Sequence, residues 1–155
     1  MTLALTSKAF KNGETIPAKY TCDGDNASPP LVISGVPAGT VTLALIMDDP
    51  DVPKQLRPSG VFDHWTVFNI QPDATEISES GTVGMLGVTG RGTLGYTGPC
   101  PPPQYEPCEH RYFFRLYALD TKLNLAEGAT KDEVLAAMHG HVLSSAELMG
   151  RYSRA

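Results

Sequence analysis

Runs of apolar residues predict five β-strands before residue 120. The strongest run is 41–47, in which nearly every position is apolar, as expected for a strand that is covered on both faces. Shorter runs at 3–6 and 31–33 predict short strands. The segments 64–70 and 111–119 are rich in aromatic and β-branched residues, which also favours strands.

The alternation of side chains along two of these strands suggests where their polar residues point. Period-two alternation places His64 on the face opposite Trp65. In the segment 111–119 the core face is the apolar one, and alternation puts Tyr112 and the preceding His110 on that same face. We therefore expect His110 and Tyr112 to point the same way at the mouth of their strand.

Two short helices are predicted in the C-terminal part of the chain. Thr130 and Glu133 have the spacing of a capping box, which predicts a helix start. Gly140 follows the apolar stripe of this helix and predicts its end. The apolar positions within 141–149 have helical spacing and predict a second helix that Gly150 closes.

The order of these elements predicts the fold class. Residues 71–95 are rich in Gly, Thr and Ser and predict a long irregular connection, a kind of loop that is often functional. The sequence shows no internal repeat or linker, so we expect a single domain over 1–155. Strands followed by two helices predict a mainly β protein, an antiparallel two-sheet β-sandwich with the helices at one edge.

Composition excludes several classes of partner and bears on localisation. The net charge of -5 and the absence of a Lys/Arg cluster argue against nucleic acid and against anionic membranes. No apolar run approaches the ~20 residues of a membrane span, and no signal peptide is recognisable. Three cysteines, an odd number, indicate a reducing, cytoplasmic location without a disulfide framework. A bridge between Cys100 and Cys108 is an alternative if their loop brings them together.

Two local motifs are better explained by ordinary structure than by chemistry. The G-x-G-x-x-G spacing at 90–95 precedes a proline-rich stretch that cannot form a helix, so it indicates a flexible loop and no nucleotide fingerprint. His139 and His141 flank Gly140 at a helix junction, where their rings point apart, and no Cys-x-x-Cys spacing exists. We therefore expect neither a metal nor a cofactor.

Acidic residues and histidines at strand ends provide the candidate site. Asp49 and Asp51 follow the apolar strand 41–47, and His64 and His110 begin two other strands. In one interpretation the acids and prolines only form turns and the histidines are structural. Their joint position at strand ends, beside a rigid backbone at 98–101 with amides expected to be exposed, instead predicts a pocket for an anion.

These segments resemble the phosphatidylethanolamine-binding protein family, also called Raf kinase inhibitor-like proteins, in its short bacterial and archaeal branch. Residues 49–53 resemble its D-P-D-x-P motif, and 98–102 followed by 110–112 resemble its G-P-x-x…H-R-Y motif. Flanking segments match in order from about residue 3 to 154. The resemblance implies a two-sheet β fold with a small anion pocket formed by Asp49, Asp51, His64, Gly98, Pro99, His110 and Tyr112.

The resemblance also implies a function. Family members bind phosphate or phospho-headgroup ligands and inhibit kinases or serine proteases, and they are not established enzymes. We therefore expect a non-enzymatic regulator with a phosphate-containing or other anionic ligand, a kinase or protease partner, and homodimeric assembly. The alternative is a phosphoester hydrolase that uses the same Asp and His residues with a metal or as acid and base.

Two acids in a phosphate pocket require an explanation, because a dianion is repelled by carboxylates. We expect Asp49 and Asp51 to orient His64 and His110 and to favour their charged forms, so that both imidazoles donate to the anion. Tyr112 is expected to donate its hydroxyl, and the 98–101 backbone to add amides. This hypothesis predicts phosphate affinity that weakens as the pH rises through the histidine range.

Overall fold

The computed structural model describes residues 2–154 and contains two antiparallel sheets. The three strands of the smaller sheet lie in the order β1 (Ala4–Thr6), β2 (Leu31–Ser34) and β5 (Glu76–Ile77). The five strands of the larger sheet lie in the order β6 (Met85–Leu86), β4 (Phe62–Ile70), β3 (Thr42–Asp49), β7 (His110–Leu119) and β8 (Val142–Tyr152). All five predicted strands are present, and the predicted irregular connection contributes the two-residue strands β5 and β6.

The main hydrophobic core lies between the two sheets. Leu5 and Ile33 of the smaller sheet belong to the same buried cluster as Leu45, Val67 and Leu116 of the larger one. Burying an aliphatic side chain of this size contributes about 1.5–3 kcal/mol relative to leaving it exposed. The predicted antiparallel β-sandwich is therefore confirmed, and its shared core holds the larger sheet in place beneath the candidate site.

One α-helix covers the other face of the larger sheet. Helix α1 (Lys131–Met138) packs Val134 and Met138 against Ile46 and Phe68, which explains why β3 is buried on both faces. Within residues 2–154, no helix is long and apolar enough to cross a membrane.

The ends of α1 follow the sequence signals. The Thr130 side chain accepts a hydrogen bond from the Glu133 backbone N–H, and the Glu133 side chain accepts one from the Thr130 N–H. The predicted capping box is therefore confirmed, and its two bonds satisfy N–H groups that a helix start leaves free. Gly140, two residues beyond the helix, has a φ of 82°, a conformation that suits glycine and turns the chain back toward the sheet.

The predicted second helix over 141–149 is wrong, because β8 occupies that part of the chain. β8 pairs with β7 along its whole length, from Val142 opposite Leu119 to Tyr152 opposite His110. The apolar residues of β8 fit a helical spacing. Pairing with the long aromatic strand β7, however, satisfies the backbone hydrogen bonds of β8 and buries alternate residues in its C-terminal half. Tertiary pairing thus overrides the local pattern.

The side chain of His64 does not have the predicted orientation, because the strand contains a β-bulge at this residue. Met47 on β3 pairs with Trp65, but the next residue, Asp48, pairs with Asp63, so His64 is an extra residue on β4. Such a bulge redirects a side chain that simple alternation would place on the opposite face. The His64 ring consequently lies against Tyr112, with 5.2 Å between ring centroids.

Candidate functional site

A cleft of about 240 Å³ opens at one end of the larger sheet. Antiparallel pairing brings the C-terminal end of β3 beside the N-terminal ends of β4 and β7, so side chains from all three strands meet there. The polar side chains that line the cleft are Asn26, Asp49, His64, Arg91, Thr97 and His110. Its apolar wall is formed by Val52, Phe62, Pro101, Pro102 and the cysteines Cys22 and Cys100.

The cleft brings together four of the seven predicted site residues. Asp49, His64, Gly98 and His110 line it. The other three lie nearby without lining it: Asp51, Pro99 and Tyr112. The four separate segments that carry these residues therefore converge, although not every residue that resembles the family pocket faces the cleft.

A buried hydrogen bond joins Asp49 and His110 in the cleft. The His110 Nδ1–H donates to Asp49 Oδ2 at 2.6 Å, and both side chains are almost completely buried. Burial opposes a charge on His110, but the hydrogen bond and the negative charge of Asp49, together with the charge of Asp51, outweigh it and raise the pKa of His110. The Nε2 atom of His110 is buried and makes no well-aligned hydrogen bond with a described residue. The carbonyl oxygen of Pro107 lies near the ring and also raises the pKa of His110.

His64 behaves differently from His110. Its Nδ1–H donates to the Thr97 carbonyl oxygen at 2.6 Å, and the residue is buried. Burial lowers the pKa of His64, against the opposing effects of the Thr97 carbonyl and the Asp49 carboxylate. The lowered pKa of His64 opposes the expectation that both histidines are charged, whereas the raised pKa of His110 agrees with it.

Tyr112 lies behind the two histidines. Its ring is 5.2 Å from the His64 ring and 6.4 Å from the His110 ring, and its side chain is fully buried. Burial raises the pKa of Tyr112, so the phenol stays neutral. Its hydroxyl makes no well-aligned hydrogen bond with a described residue, although it lies near the Asp49 carboxylate, which also raises the pKa of Tyr112. The contribution of Tyr112 visible in the structure is packing that fixes both imidazole rings.

The carboxylate of Asp51, the second acid of the D-P-D segment, is paired with an arginine. Asp51 accepts hydrogen bonds from the Arg111 backbone N–H, from Nε and from Nη2, each at 2.9 Å. The hydrogen bonds from Arg111 lower the pKa of Asp51. This carboxylate therefore ties the turn after β3 to the start of β7 and leaves the cleft without a second bare acid.

The predicted set of exposed amides at 98–101 is reduced to one, the N–H of Cys100, which is exposed and makes no hydrogen bond with a described residue. Pro99 and Pro101 have no N–H group, and the Gly98 N–H donates to Asn26 Oδ1 at 2.8 Å. A Cβ at Gly98 would overlap the Tyr20 carbonyl oxygen and the Asn26 side chain, which explains the glycine. The segment is therefore a rigid wall of the cleft that is bonded to residues 20–26.

A disulfide bond also joins these two segments. Cys22 and Cys100 are bonded, and the Cys22 N–H donates to the Pro99 carbonyl at 3.1 Å. The expectation of no disulfide is wrong, and so is the alternative pairing of Cys100 with Cys108, because Cys108 is free and exposed. The partner of Cys100 comes from a loop 78 positions away, which sequence proximity cannot reveal.

Three polar residues of the cleft were missed in the sequence: Asn26, Arg91 and Thr97. Asn26 accepts the Gly98 N–H from a backbone with φ of 57°, and it lies in a segment that also resembles the family. Arg91 is the central residue of a Gly-Arg-Gly stretch within the long irregular connection. The signal that could have identified Arg91 was a single cationic residue in a long irregular loop, because such loops often carry function.

The arrangement offers no evident site for a metal ion. In the span from residue 2 to residue 154, no group of three or more His, Cys, Asp or Glu side chains is placed to hold one. The carboxylates of Asp49 and Asp51 are each engaged by a basic side chain. The chemistry that the geometry supports is hydrogen bonding to a small polar ligand between His64, His110 and Arg91.

Comparisons with known proteins point to one family. A family model described as phosphatidylethanolamine-binding protein matches residues 6–153. A UPF0098 protein of Methanothermobacter thermautotrophicus is 52% identical over 157 residues, which cover 97% of this chain and 98% of the relative. A UPF0098 protein of Chlamydia muridarum is 44% identical over 153 residues, which cover 98% of this chain and 99% of the relative. Neither name states an activity.

Solved structures share the fold over their whole length. A phosphatidylethanolamine-binding protein homologue from Chlamydia trachomatis superposes with a TM-score of 0.94 at 43% identity, covering 99% of both chains. YbcL of E. coli, described as a member of the mammalian PEBP family, has a TM-score of 0.88 at 28% identity and 100% coverage of both chains. The likeness therefore includes every strand that contributes to the cleft.

Proposed function

Because the chain belongs to the phosphatidylethanolamine-binding protein family, we propose that its cleft binds a small anion, either inorganic phosphate or the phosphate of a headgroup. The balance of charge in the cleft carries this proposal. Asp49 is paired with His110, whose pKa is raised by that contact, and Asp51 is paired with Arg111 outside the cleft. The remaining fixed charge at the cleft is the cation of Arg91, which has no acidic partner among residues 2–154.

The geometry supports three distinct contributions to the anion site. The protonated His110 provides a buried donor, through an Nε2 atom that makes no well-aligned hydrogen bond with a described residue. Arg91 provides an exposed guanidinium at the entrance, where it can attract and contact an anion. The apolar wall that includes Phe62 and Pro101 suits the carbon atoms of a headgroup.

We propose a binding protein and not an enzyme. The family match supports ligand binding, and the carboxylates of Asp49 and Asp51 are each already held by a basic side chain. Family membership alone supports the further proposal that the protein regulates a kinase or serine protease partner. Homodimeric assembly and a cytoplasmic location stay predictions, and the Cys22–Cys100 bond removes the cysteine argument for a reducing compartment.

Isothermal titration calorimetry of the native protein with inorganic phosphate and with phosphoethanolamine tests the proposed function. We expect saturable binding of one anion per chain at about pH 6.5, where His110 is protonated. The absence of a binding isotherm for both anions at millimolar concentrations would contradict the proposal.

Replacing Arg91 with alanine is expected to weaken phosphate binding by about five- to tenfold, because an exposed charged contact contributes on the order of 1 kcal/mol. Calorimetry at constant ionic strength measures the change. Lys122→Ala is the matched control, since Lys122 is an exposed cation that does not line the cleft. Equal losses in the two variants would mean that Arg91 acts only through the net charge of the protein.

A further inference from the structure

The orientation of the His64 ring determines what its free nitrogen can do. A carbonyl oxygen can only accept a hydrogen bond, so the 2.6 Å contact with Thr97 requires the proton of His64 to be on Nδ1. Nε2, on the other side of the ring, makes no hydrogen bond with any described residue, and His64 lines the cleft. In the neutral ring this Nε2 is therefore an acceptor that the ligand must satisfy.

The surroundings of His64 favour the neutral ring. The residue is 4% exposed, and the aromatic rings of Phe62 and Tyr112 contact it edge-on. Burial lowers the pKa of His64 and outweighs the attraction of the carboxylates that face it: Asp48, Asp49 and Asp63. The guanidinium of Arg91, which lines the same cleft, also disfavours a second cation there.

The two histidines consequently offer complementary hydrogen-bonding atoms. His110 uses Nδ1 to donate to Asp49, and in its charged form it also has a proton on Nε2. His64 uses Nδ1 to donate to Thr97, and in its neutral form it has a lone pair on Nε2. One imidazole of the cleft is a donor and the other is an acceptor.

We propose that the cleft selects oxyanions that carry a proton, with His64 Nε2 accepting a hydrogen bond from a P–OH group while His110 donates to an ionised oxygen. This specificity rests on the proposed anion-binding function and names the class of ligand. Phosphate and phosphate monoesters satisfy both nitrogens, because they retain a proton in part of the population near neutral pH. The second ionisation of a monoester is near pH 6, and that of inorganic phosphate is higher. Sulfate and phosphate diesters have no such proton.

This selection distinguishes two sources of the same chemical group. The phosphate of an intact phospholipid is a diester and would leave the His64 acceptor facing an ionised oxygen. A free headgroup such as phosphoethanolamine is a monoester and can donate. The cleft is therefore suited to free phosphate or to monoesters, and it disfavours the diester of a whole lipid.

A calorimetric series with the native protein at about pH 6.5 tests the selection. The probes are inorganic phosphate, phosphoethanolamine, sulfate and dimethyl phosphate. Sulfate matches the charge of dianionic phosphate and dimethyl phosphate matches that of the monoanion, so charge alone cannot explain weak binding of both. We expect the two proton-bearing ligands to bind at least about tenfold more tightly than the other two, the effect of one unsatisfied acceptor.

The variant His64→Asn isolates the accepting nitrogen. An asparagine N–H occupies roughly the position of Nδ1 and can preserve the bond to Thr97, while the acceptor at Nε2 is lost. We expect the preference for phosphate over sulfate to fall below about threefold, chiefly through weaker phosphate binding. His141→Asn is the control, because His141 is an exposed histidine paired with Asp120 away from the cleft, and it should leave the preference unchanged.

Each outcome has one meaning. Binding of none of the four probes by the native protein contradicts the proposed function itself. Equal binding of all four, or tighter binding of sulfate, leaves anion binding intact and overturns the selection. If His64→Asn does not fold, ¹⁵N NMR of the native complex with phosphate replaces it, and a protonated Nε2 on His64 in that complex would overturn the proposal.

Discussion

Asp49→Asn is expected to weaken phosphate binding by roughly 10- to 100-fold at about pH 6.5, since a hydrogen bond to a charged group contributes about 1.5–3 kcal/mol. The asparagine side chain has nearly the same size, and its carbonyl oxygen can still accept the His110 Nδ1–H. The negative charge is lost, however, so burial prevails and the pKa of His110 falls. The neutral ring then offers no Nε2–H to the anion, which calorimetry records as lost affinity.

Asp51→Asn is the matched control for this variant, because it removes the same charge from the same turn. Asp51 does not line the cleft, and its carboxylate is held by three hydrogen bonds from Arg111. We expect its effect on phosphate affinity to be less than about threefold, through a weaker long-range effect on His110. An equal loss of affinity in both variants would mean that the total negative charge matters and the Asp49–His110 pair does not.

Removing the disulfide in the variant Cys22→Ser/Cys100→Ser is expected to lower the free energy of unfolding by about 2–4 kcal/mol, because the bond closes a long loop and restricts the unfolded chain. The two cysteines are separated by 78 positions. Urea unfolding followed by circular dichroism measures the change. The same result is expected for the native protein unfolded in the presence of a thiol reductant.

Cys108→Ser serves as the control, since Cys108 is exposed and unbonded. We expect its free energy of unfolding to stay within about 0.5 kcal/mol of the native value. The double variant should also bind phosphate less tightly, because the Cys22–Cys100 bond joins two walls of the cleft. Unchanged stability of the double variant under oxidising conditions would show that the bond contributes nothing to the fold.

The sequence was sufficient to predict an element where the signal lay in neighbouring residues, or where the alternation of side chains along a strand was uninterrupted. The apolar run of β3 requires cover on both faces, and the structure provides it with the smaller sheet on one side and α1 on the other. Thr130 and Glu133 are close in sequence, so their capping bonds could be predicted from spacing. Asp49 and His110 end and begin strands, and the antiparallel register brings them together.

The remaining features depend on contacts between distant segments. β8 looks helical in isolation and becomes a strand because β7 is available to pair with it. His64 changes face because of a one-residue bulge that a propensity pattern does not contain. Cys100 has a nearby cysteine in the sequence but bonds to one from a distant loop. Arg91 reaches the cleft from a loop whose course only the folded chain defines.

The protonation of the two histidines could not be deduced from residue types. His64 and His110 both lie near carboxylates, which suggested that both are charged. The structure gives His110 a direct carboxylate partner, whereas His64 is buried, donates to a backbone carbonyl and has no carboxylate in direct contact. The pKa values of the two histidines therefore shift in opposite directions. A carboxylate partner favours the imidazolium of His110, and burial without such a partner disfavours that of His64.

The central claim is that a His110 imidazolium, held by Asp49, donates to the bound anion, and an NMR titration of His110 measures this directly. We expect a pKa above the ordinary value of about 6.5 in the free protein. Saturation with phosphate should raise that pKa further, because an anion that prefers the protonated ring must stabilise it. By the same linkage, phosphate affinity falls as the pH rises through the pKa of His110. A His110 pKa below 6.5, or one that phosphate leaves unchanged, would contradict the account.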